Sequence, residues 1–355
     1  MSQPGLHQDL ATDLLDWWKL HGRRDLPWQR EPTAYRVWVS EIMLQQTQVT
    51  TVERYYEPFM AAFPDVITLA DADLDQVLHR WSGLGYYARA RNLHRAARTV
   101  RDEFEGSVPA DFDALIGLPG IGRSTAGAIL ALAHGRRYPI LDGNVKRVLA
   151  RVFGIEGWPG QSRVARELWD LAERCTPAGR VAHYTQAIMD LGASVCTARN
   201  PSCSTCPLAA RCAAHLSGAT DRIPAPRPRR ERPRRATVLA VMIRKDGAVL
   251  LQKRPGSGIW GGLWGFPETP SVETVAELCH QTVGTVPENI AVQEPVRHSF
   301  THFDLDMTPV RVSVGEPPDR AMDGDRWVWY KVCSPAEIGL AAPVARLLER
   351  LEEVV

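Results

Sequence analysis

The sequence predicts a mainly α N-terminal domain followed by an α+β C-terminal domain, and three observations carry that reading. Alanine- and leucine-rich segments with helical periodicity, such as Val164 to Glu173 and Ala182 to Leu191, dominate the first part. Beyond residue 236, β-branched runs take over at Val238 to Ile243, Val249 to Gln252, Phe303 to Val314 and Trp327 to Lys331. Helix-like segments are expected there at Val272 to Gln281 and Ala341 to Glu352. Between the two parts, Ile223 to Arg235 carries four prolines among repeated arginines, a composition that excludes helix and central strand. The expected division is a domain over 1–216, an extended Pro/Arg-rich linker over 217–236 and a second domain over 237–355.

A chain of 355 residues with 45% hydrophobic composition can bury more than one core. Met1 to Asp9 is polar with no apolar targeting core, and no run reaches the roughly 20 apolar residues of a membrane helix. The expectation is a protein without signal peptide or membrane contact, cytoplasmic and nucleoid-associated in a bacterial cell. Net charge is +1, yet residues 1–235 carry 31 Lys and Arg against 25 Asp and Glu, while residues 236–355 carry 11 against 16. A polyanion therefore meets the first part, and the arginine-rich linker is a candidate contact for phosphate or for a repair or replication protein.

Cys196, Cys203, Cys206 and Cys212 follow the spacing C-x6-C-x2-C-x5-C, and the other three cysteines, Cys175, Cys279 and Cys333, are scattered. Clustered cysteines in an intracellular chain point to metal rather than disulfides. A single C-x2-C knuckle with wider flanking loops favours an iron–sulfur cluster, with structural zinc the alternative that spacing leaves open. Arg199 and Arg211 beside the loop are candidates to face phosphate.

Upstream, Leu118-Pro119-Gly120-Ile121-Gly122 precedes an apolar-periodic helix starting near Ser124, with Leu115, Leu118 and Ile121 as apolar flanks. This pattern matches a helix-hairpin-helix, whose glycine turn leaves backbone N–H groups open to a phosphate. Asp142 and Asn144 then stand between an apolar segment and a new helix. On its own Asp142 is an ordinary helix N-cap, and the helix dipole there favours its ionised form.

The order Leu-Pro-Gly-Ile-Gly, Leu-Asp-Gly-Asn-Val (141–145) and the four-cysteine loop resembles the helix-hairpin-helix DNA glycosylases of the endonuclease III superfamily. That resemblance implies a 4Fe-4S cluster on the four cysteines, within 196–212. Strand-cleaving members carry a lysine two residues after the hairpin, where this chain has Ser124. Glu41, within Val37-Trp-Val-Ser-Glu-Ile-Met-Leu-Gln-Gln-Thr-Gln48, together with Leu26-Pro27-Trp28 and Gly83-Leu-Gly-Tyr-Tyr87, resembles the MutY type of adenine glycosylase. It implies a monomer acting on double-stranded DNA with adenine opposite 8-oxoguanine or guanine, hydrolysing the N-glycosidic bond without cutting the strand.

Such chemistry needs two carboxyl groups in opposite states, one acid to neutralise the leaving base and one carboxylate to face the sugar cation. Glu41, on a helix among Val37, Trp38, Ile42 and Leu44, is expected to stay protonated through burial. The resemblance gives Asp142 the sugar cation, with Asn144 orienting it. It further implies that Gln46 and Tyr86 enter the duplex, and that Trp28, Leu44 and Val49 hold the flipped base with Ser124 and Gln186 at its polar edge. Thr47 and Leu84 are secondary candidates beside the damaged base.

Trp260-Gly-Gly-Leu-Trp-Gly-Phe-Pro-Glu268 resembles the start of a Nudix box, but the helix that follows offers Glu273 and Glu277 without a dense glutamate cluster. Too few oxygen ligands remain for pyrophosphate hydrolysis with Mg²⁺. The resemblance assigns this α+β, Nudix-like domain to lesion recognition through Phe300, Thr301 and His302, where Phe-Ser-His is the family pattern.

Overall fold

In the computed structural model, residues 5–228, 231–315 and 326–352 are described. The chain divides into two compact units, Met1–Asp71 with Asn92–Arg229, and Ala72–Arg91 with Arg230–Val355. The helices before the linker are α1 (Gly5–His21), α2 (Ala34–Leu44), α3 (Val49–Ala62), α4 (Val66–Asp71), α5 (Leu74–Trp81) and α6 (Ala88–Glu103). They continue as α7 (Phe112–Gly117), α8 (Arg123–His134), α9 (Gly143–Phe153), α10 (Ser162–Cys175), α11 (Val181–Ser194) and α12 (Ala213–Leu216). The two periodic segments named from the sequence are α10 and α11.

Local chemistry sets the ends that matter for the site. Thr33 caps α2 by accepting from the Arg36 N–H, and Asp142 caps α9 by accepting from Val145 N–H at 2.8 Å. Gly135 and Gly154 close α8 and α9 in the left-handed region at φ 63° and 67°, which a residue with a Cβ adopts only under strain. Within the first unit, α2 buries Val37, Trp38, Val39, Ile42 and Met43, and α3 buries Val52, Tyr56 and Phe59. Each such side chain contributes roughly 1.5–3 kcal/mol by leaving water. A second apolar cluster joins Leu10 and Leu14 of α1 to Val145, Val148 and Leu149 of α9, Leu168 of α10 and Leu191 of α11.

In the second unit, β1 (Arg234–Arg244), β2 (Val249–Lys253), β3 (Trp264–Gly265), β4 (Glu268–Thr269), β5 (Asn289–Val292), β6 (Val296–Ser299), β7 (Asp304–Val314) and β8 (Trp327–Tyr330) form one mixed sheet. Its spine runs β3-β2-β1-β7-β5, with β4 on β1, β6 on β7 and β8 on β2. The long central pair, β1 with β7, is parallel from Arg234 opposite Asp304 to Arg244 opposite Val314. Ala240, Met242, Val310 and Val312 meet Val275, Cys279 and Val283 of α13 (Val275–Val283), and α14 (Ala342–Glu352) ends the described chain.

Two boundaries differ from the sequence expectation. Residues 72–91, expected inside a continuous domain over 1–216, group with the second unit. There Lys253 Nζ meets Asp75 at 2.9 Å, Arg80 meets Glu337 at 3.2 Å and the Tyr87 hydroxyl donates to the Leu340 carbonyl at 3.1 Å. The expected tether over 217–236 is also anchored at both ends. Ala219 and Ile223 are buried in the first unit's core, and Arg151 Nε donates to the Ile223 carbonyl at 2.9 Å. At the far end β1 starts at Arg234, immediately after the last proline of the stretch. The prolines and arginines masked the two small apolar anchors.

Candidate active site and cluster loop

Ten of the residues singled out from the sequence line one cavity of about 400 Å³ in the first unit: Trp28, Glu41, Leu44, Gln46, Thr47, Val49, Ser124, Asp142, Asn144 and Gln186. That size lies within the roughly 300–1,000 Å³ typical of ligand sites. Spacing on the helices explains the convergence. Glu41 and Leu44 stand one turn apart on α2, Ser124 opens α8, Asp142 caps α9 and Gln186 lies in the middle of α11. Trp28 is buried edge-on against Tyr56, with centroids 5.5 Å apart. Gln46 leaves the end of α2 at a left-handed φ of 58°, exposed at the rim.

Burial raises both carboxyl groups, but their neighbours differ. Burial, and then the neighbouring Asp142, push Glu41 up to about 8. Its helix neighbours Val37, Trp38 and Ile42 are all buried, which is the source of the desolvation. Burial raises Asp142 too, against the expectation that its helix end favours the ionised form. Opposing that burial are the N–H groups of Val145 and Asn144 and the charges of Arg147 and Lys146, all of which favour the carboxylate. Asn144 therefore acts on Asp142 through its backbone, because its side-chain oxygen accepts from Arg147 Nη2 at 2.7 Å. Ser124 Oγ accepts from the Leu141 N–H at 3.0 Å and so fastens the residue before Asp142 to α8.

The cavity also contains residues the sequence reading missed, among them Arg23, Gln45 and Thr125. Behind them sits Asp190, 1% exposed, which accepts from Trp18 Nε1 at 3.0 Å, from the Arg23 backbone and guanidinium at 2.7–3.0 Å, and from Gln186 Nε2 at 3.0 Å. One buried carboxylate thus fixes two cavity-lining side chains. Its one sequence signal was a lone acid on the apolar helix α11, spaced i+4 from Gln186. Asp190→Asn leaves the Arg23 charge unmatched, and a loss of about 2 kcal/mol is expected in urea unfolding. An unchanged midpoint would contradict this role.

All four cysteines of the 196–212 loop line a single small cavity with Arg151, Leu191 and Leu208. Arg151 Nη1 lies 3.3 Å from Cys196 Sγ and 2.7 Å from the Thr197 carbonyl, and Arg147 Nε donates to the Cys196 carbonyl at 2.6 Å. Burial pushes the Cys206 thiol up to about 11, so iron binding is what favours its thiolate. Four soft donors around one space, with a cation against one sulfur, fit an iron–sulfur cluster. Arg211 departs from expectation: it pairs with Asp13 at 2.7 Å and Asp9 at 3.7 Å, tying the loop to α1 rather than offering itself to phosphate. Arg199 is exposed. In the hairpin, Leu115, Leu118 and Ile121 are buried, Gly120 has φ 84° and Gly122 caps α8 without a side-chain acceptor. A Cβ on Gly120 would stand 2.8 Å from that of Asn92.

In the second unit Tyr86 is half exposed at φ 48°, in a turn where Gly83 and Gly85 also have positive φ. Arg89 holds that turn by donating to the carbonyls of Leu84 at 3.2 Å and Gly85 at 3.1 Å, with its guanidinium over the Tyr86 ring. Leu84 is 5% exposed, so its side chain is turned into the protein and does not present itself to a base as expected. Thr301 and His302 are exposed at the turn between β6 and β7, with Phe300 half-buried beside them. Of the Nudix-box carboxylates, Glu268 pairs with Arg254, Glu277 accepts from Gln281, and Glu273 is exposed.

Comparison with known proteins agrees with this arrangement. Residues 39–174 match the HhH-GPD superfamily of base excision DNA repair proteins, 196–212 the iron–sulfur binding domain of endonuclease III, and 238–350 the NUDIX domain. The cofactor of the cysteine loop is accordingly a 4Fe-4S cluster. The adenine DNA glycosylase of Buchnera aphidicola subsp. Acyrthosiphon pisum is 36% identical over 343 residues, covering 96% of this chain and 97% of its own. The Homo sapiens adenine DNA glycosylase is 34% identical over 391 residues, covering 92% of this chain and 71% of its own. Among solved structures, a thermostable thymine-DNA glycosylase superposes with TM-score 0.54 at 27% identity, covering 59% of this chain and 97% of its own. Endonuclease III in a non-covalent DNA complex shares the fold at TM-score 0.53 and 20% identity, covering 61% and 99%. With a helix-hairpin-helix unit, a four-cysteine loop, a Nudix-like unit and relatives matching it nearly end to end, the chain belongs to the adenine DNA glycosylase family.

Proposed function

We propose that this protein excises adenine paired with 8-oxoguanine or guanine from duplex DNA, hydrolysing the N-glycosidic bond without cleaving the strand. The observation that carries the reading is the different surroundings of two carboxyl groups on one cavity. Glu41 is raised to about 8 by burial, while Asp142 is served by two backbone N–H groups and nearby cations. Glu41, protonated at neutral pH, donates to adenine N7 as the C–N bond breaks, and the base leaves neutral. Asp142 faces the oxocarbenium-like sugar, which water then captures at C1′, its proton returning to the site's carboxylate.

Removing the base from the stack costs a few kcal/mol, and Gln46 and Tyr86 are the candidates to fill the gap. Both are exposed and stand at left-handed φ, at the tips of turns rather than in packed faces. Trp28, Leu44 and Val49 offer the flipped base apolar contact, with Thr47 at the rim and Gln186 and Ser124 at its polar edge. The hairpin Leu118 to Gly122 presents the uncapped start of α8 to a backbone phosphate. Phe300, Thr301 and His302 are assigned to the damaged base opposite.

Ser124 supplies no amine to attack the sugar, so the strand is expected to survive base loss. The test is single-turnover incubation of a duplex carrying adenine opposite 8-oxoguanine, scored with and without alkali. Nicks that require alkali are expected. Nicking in its absence, or an adduct trapped by borohydride, would replace this reading with a lyase, and no base loss from cluster-loaded protein would leave a DNA-binding protein alone.

A further inference from the structure

Around Phe300 the second unit builds a row of contacting rings flanked at both ends by guanidinium groups. Arg254 lies over Trp260 at 5.8 Å, Trp260 is tilted against Phe300 at 5.1 Å, Phe300 stacks on Phe303 at 4.6 Å, and Arg235 lies over Phe303 at 4.6 Å. His298 fills the side of the column, 5.4 Å from Trp260 and 4.7 Å from Phe300, and His302 lies 4.8 Å from Phe303. Trp260 holds its place at φ 53°, a strained conformation for a residue with a Cβ. Arg235 enters from β1, whose backbone is in register with the strand leaving the turn, Arg235 opposite Leu305. The Pro233 carbonyl accepts from the Asp304 N–H at 3.0 Å, and Arg232 approaches Asp304 at 3.9 Å.

We propose that Trp260 and Arg235 are positioning residues that set the Phe300-Thr301-His302 turn for reading the damaged base; this rests on the lesion-reading role assigned to that turn above. Thr301 and His302 are exposed, and their side chains meet each other through a long 3.4 Å contact between Thr301 Oγ1 and His302 Nδ1. The Phe300 N–H donates to the Phe303 carbonyl at 2.8 Å and closes the backbone of the turn, and the rings of Phe300 and Phe303, clamped from opposite ends by Trp260 and Arg235, set its direction. Offset and tilted rings at 4.5–7 Å, and a guanidinium within about 6 Å of a ring, are attractive arrangements that resist rotation of the turn. Arg235, the last arginine of the Pro/Arg stretch, therefore belongs to lesion discrimination rather than to a tether.

The deciding measurement is the ratio of single-turnover adenine release rates from duplexes with adenine opposite 8-oxoguanine and opposite guanine. Trp260→Ala is expected to lower this ratio by about ten-fold, the scale of one misplaced hydrogen bond, and Trp260→Phe to restore most of it. Arg235→Gln, at an exposed strand start, is expected to lower it in the same direction and cannot act by unfolding a core. A Thr301→Val, His302→Ala double variant separates the two levels. Should the double variant keep the wild-type ratio, the lesion-reading role falls and the positioning role with it. If the double variant lowers the ratio while Trp260→Ala and Arg235→Gln do not, the column is mere packing and the proposal alone is overturned.

Discussion

Glu41→Gln is expected to abolish adenine release while making the folded protein more stable at neutral pH. Losing a positioned general acid removes on the order of 10²–10⁴ in rate, and single-turnover base release at pH 7.5 measures it. The stability gain follows from the same burial. Glu41 is raised from 4.5 to about 8 in the fold, so the native state retains a proton that the unfolded chain releases. Its contribution is fully present below the ordinary carboxylate range and is lost as pH rises toward 8. Glutamine carries no such penalty. The variant should gain on the order of 2 kcal/mol near pH 7.5 and nothing near pH 4. The wild-type rate should likewise decline above pH 8 as the acid form titrates away. Full activity in the variant, or a midpoint below wild type at pH 7.5, would remove Glu41 from the role of buried acid.

The second large effect belongs to the cluster. Cys206→Ser should purify without iron or visible absorbance, and its affinity for a mismatched duplex should fall roughly ten-fold, the cost of losing one or two phosphate-positioning contacts. Adenine release should fall with it. Arg147 and Arg151 both reach from α9 into the loop, and the first turn of α9 is capped by Asp142. A loop released from iron loosens the helix that presents the carboxylate. Iron-free protein loaded with zinc and fully active would refute the assignment of the loop.

Residues carrying dense local signals were legible in the sequence. Glu41, Asp142 and Ser124 come from three segments that each combine an unusual polar residue with an apolar helix, and the fold brings all three to one cavity. The strands from Val249 and from Asp304 were likewise visible, because β-branched runs bounded by turns leave few alternatives. What escaped depends on distance in the chain. Asp190 looked like any helix acid until Arg23, 167 residues away, was found against it. Arg211 resembled a phosphate ligand until Asp13 took its charge. Leu84 shares a turn with Tyr86, yet turn sequence does not say which neighbour points inward.

Residues 72–91 have a consequence for how the protein comes apart. They are covalently part of the N-terminal stretch but are held by Lys253, Glu337 and Leu340. A protease that nicked the proline-rich stretch would therefore yield two fragments still clasped through α5, co-eluting until denatured. The C-terminal half could not be transplanted into another gene by a single splice without leaving behind residues 72–91, which complete it.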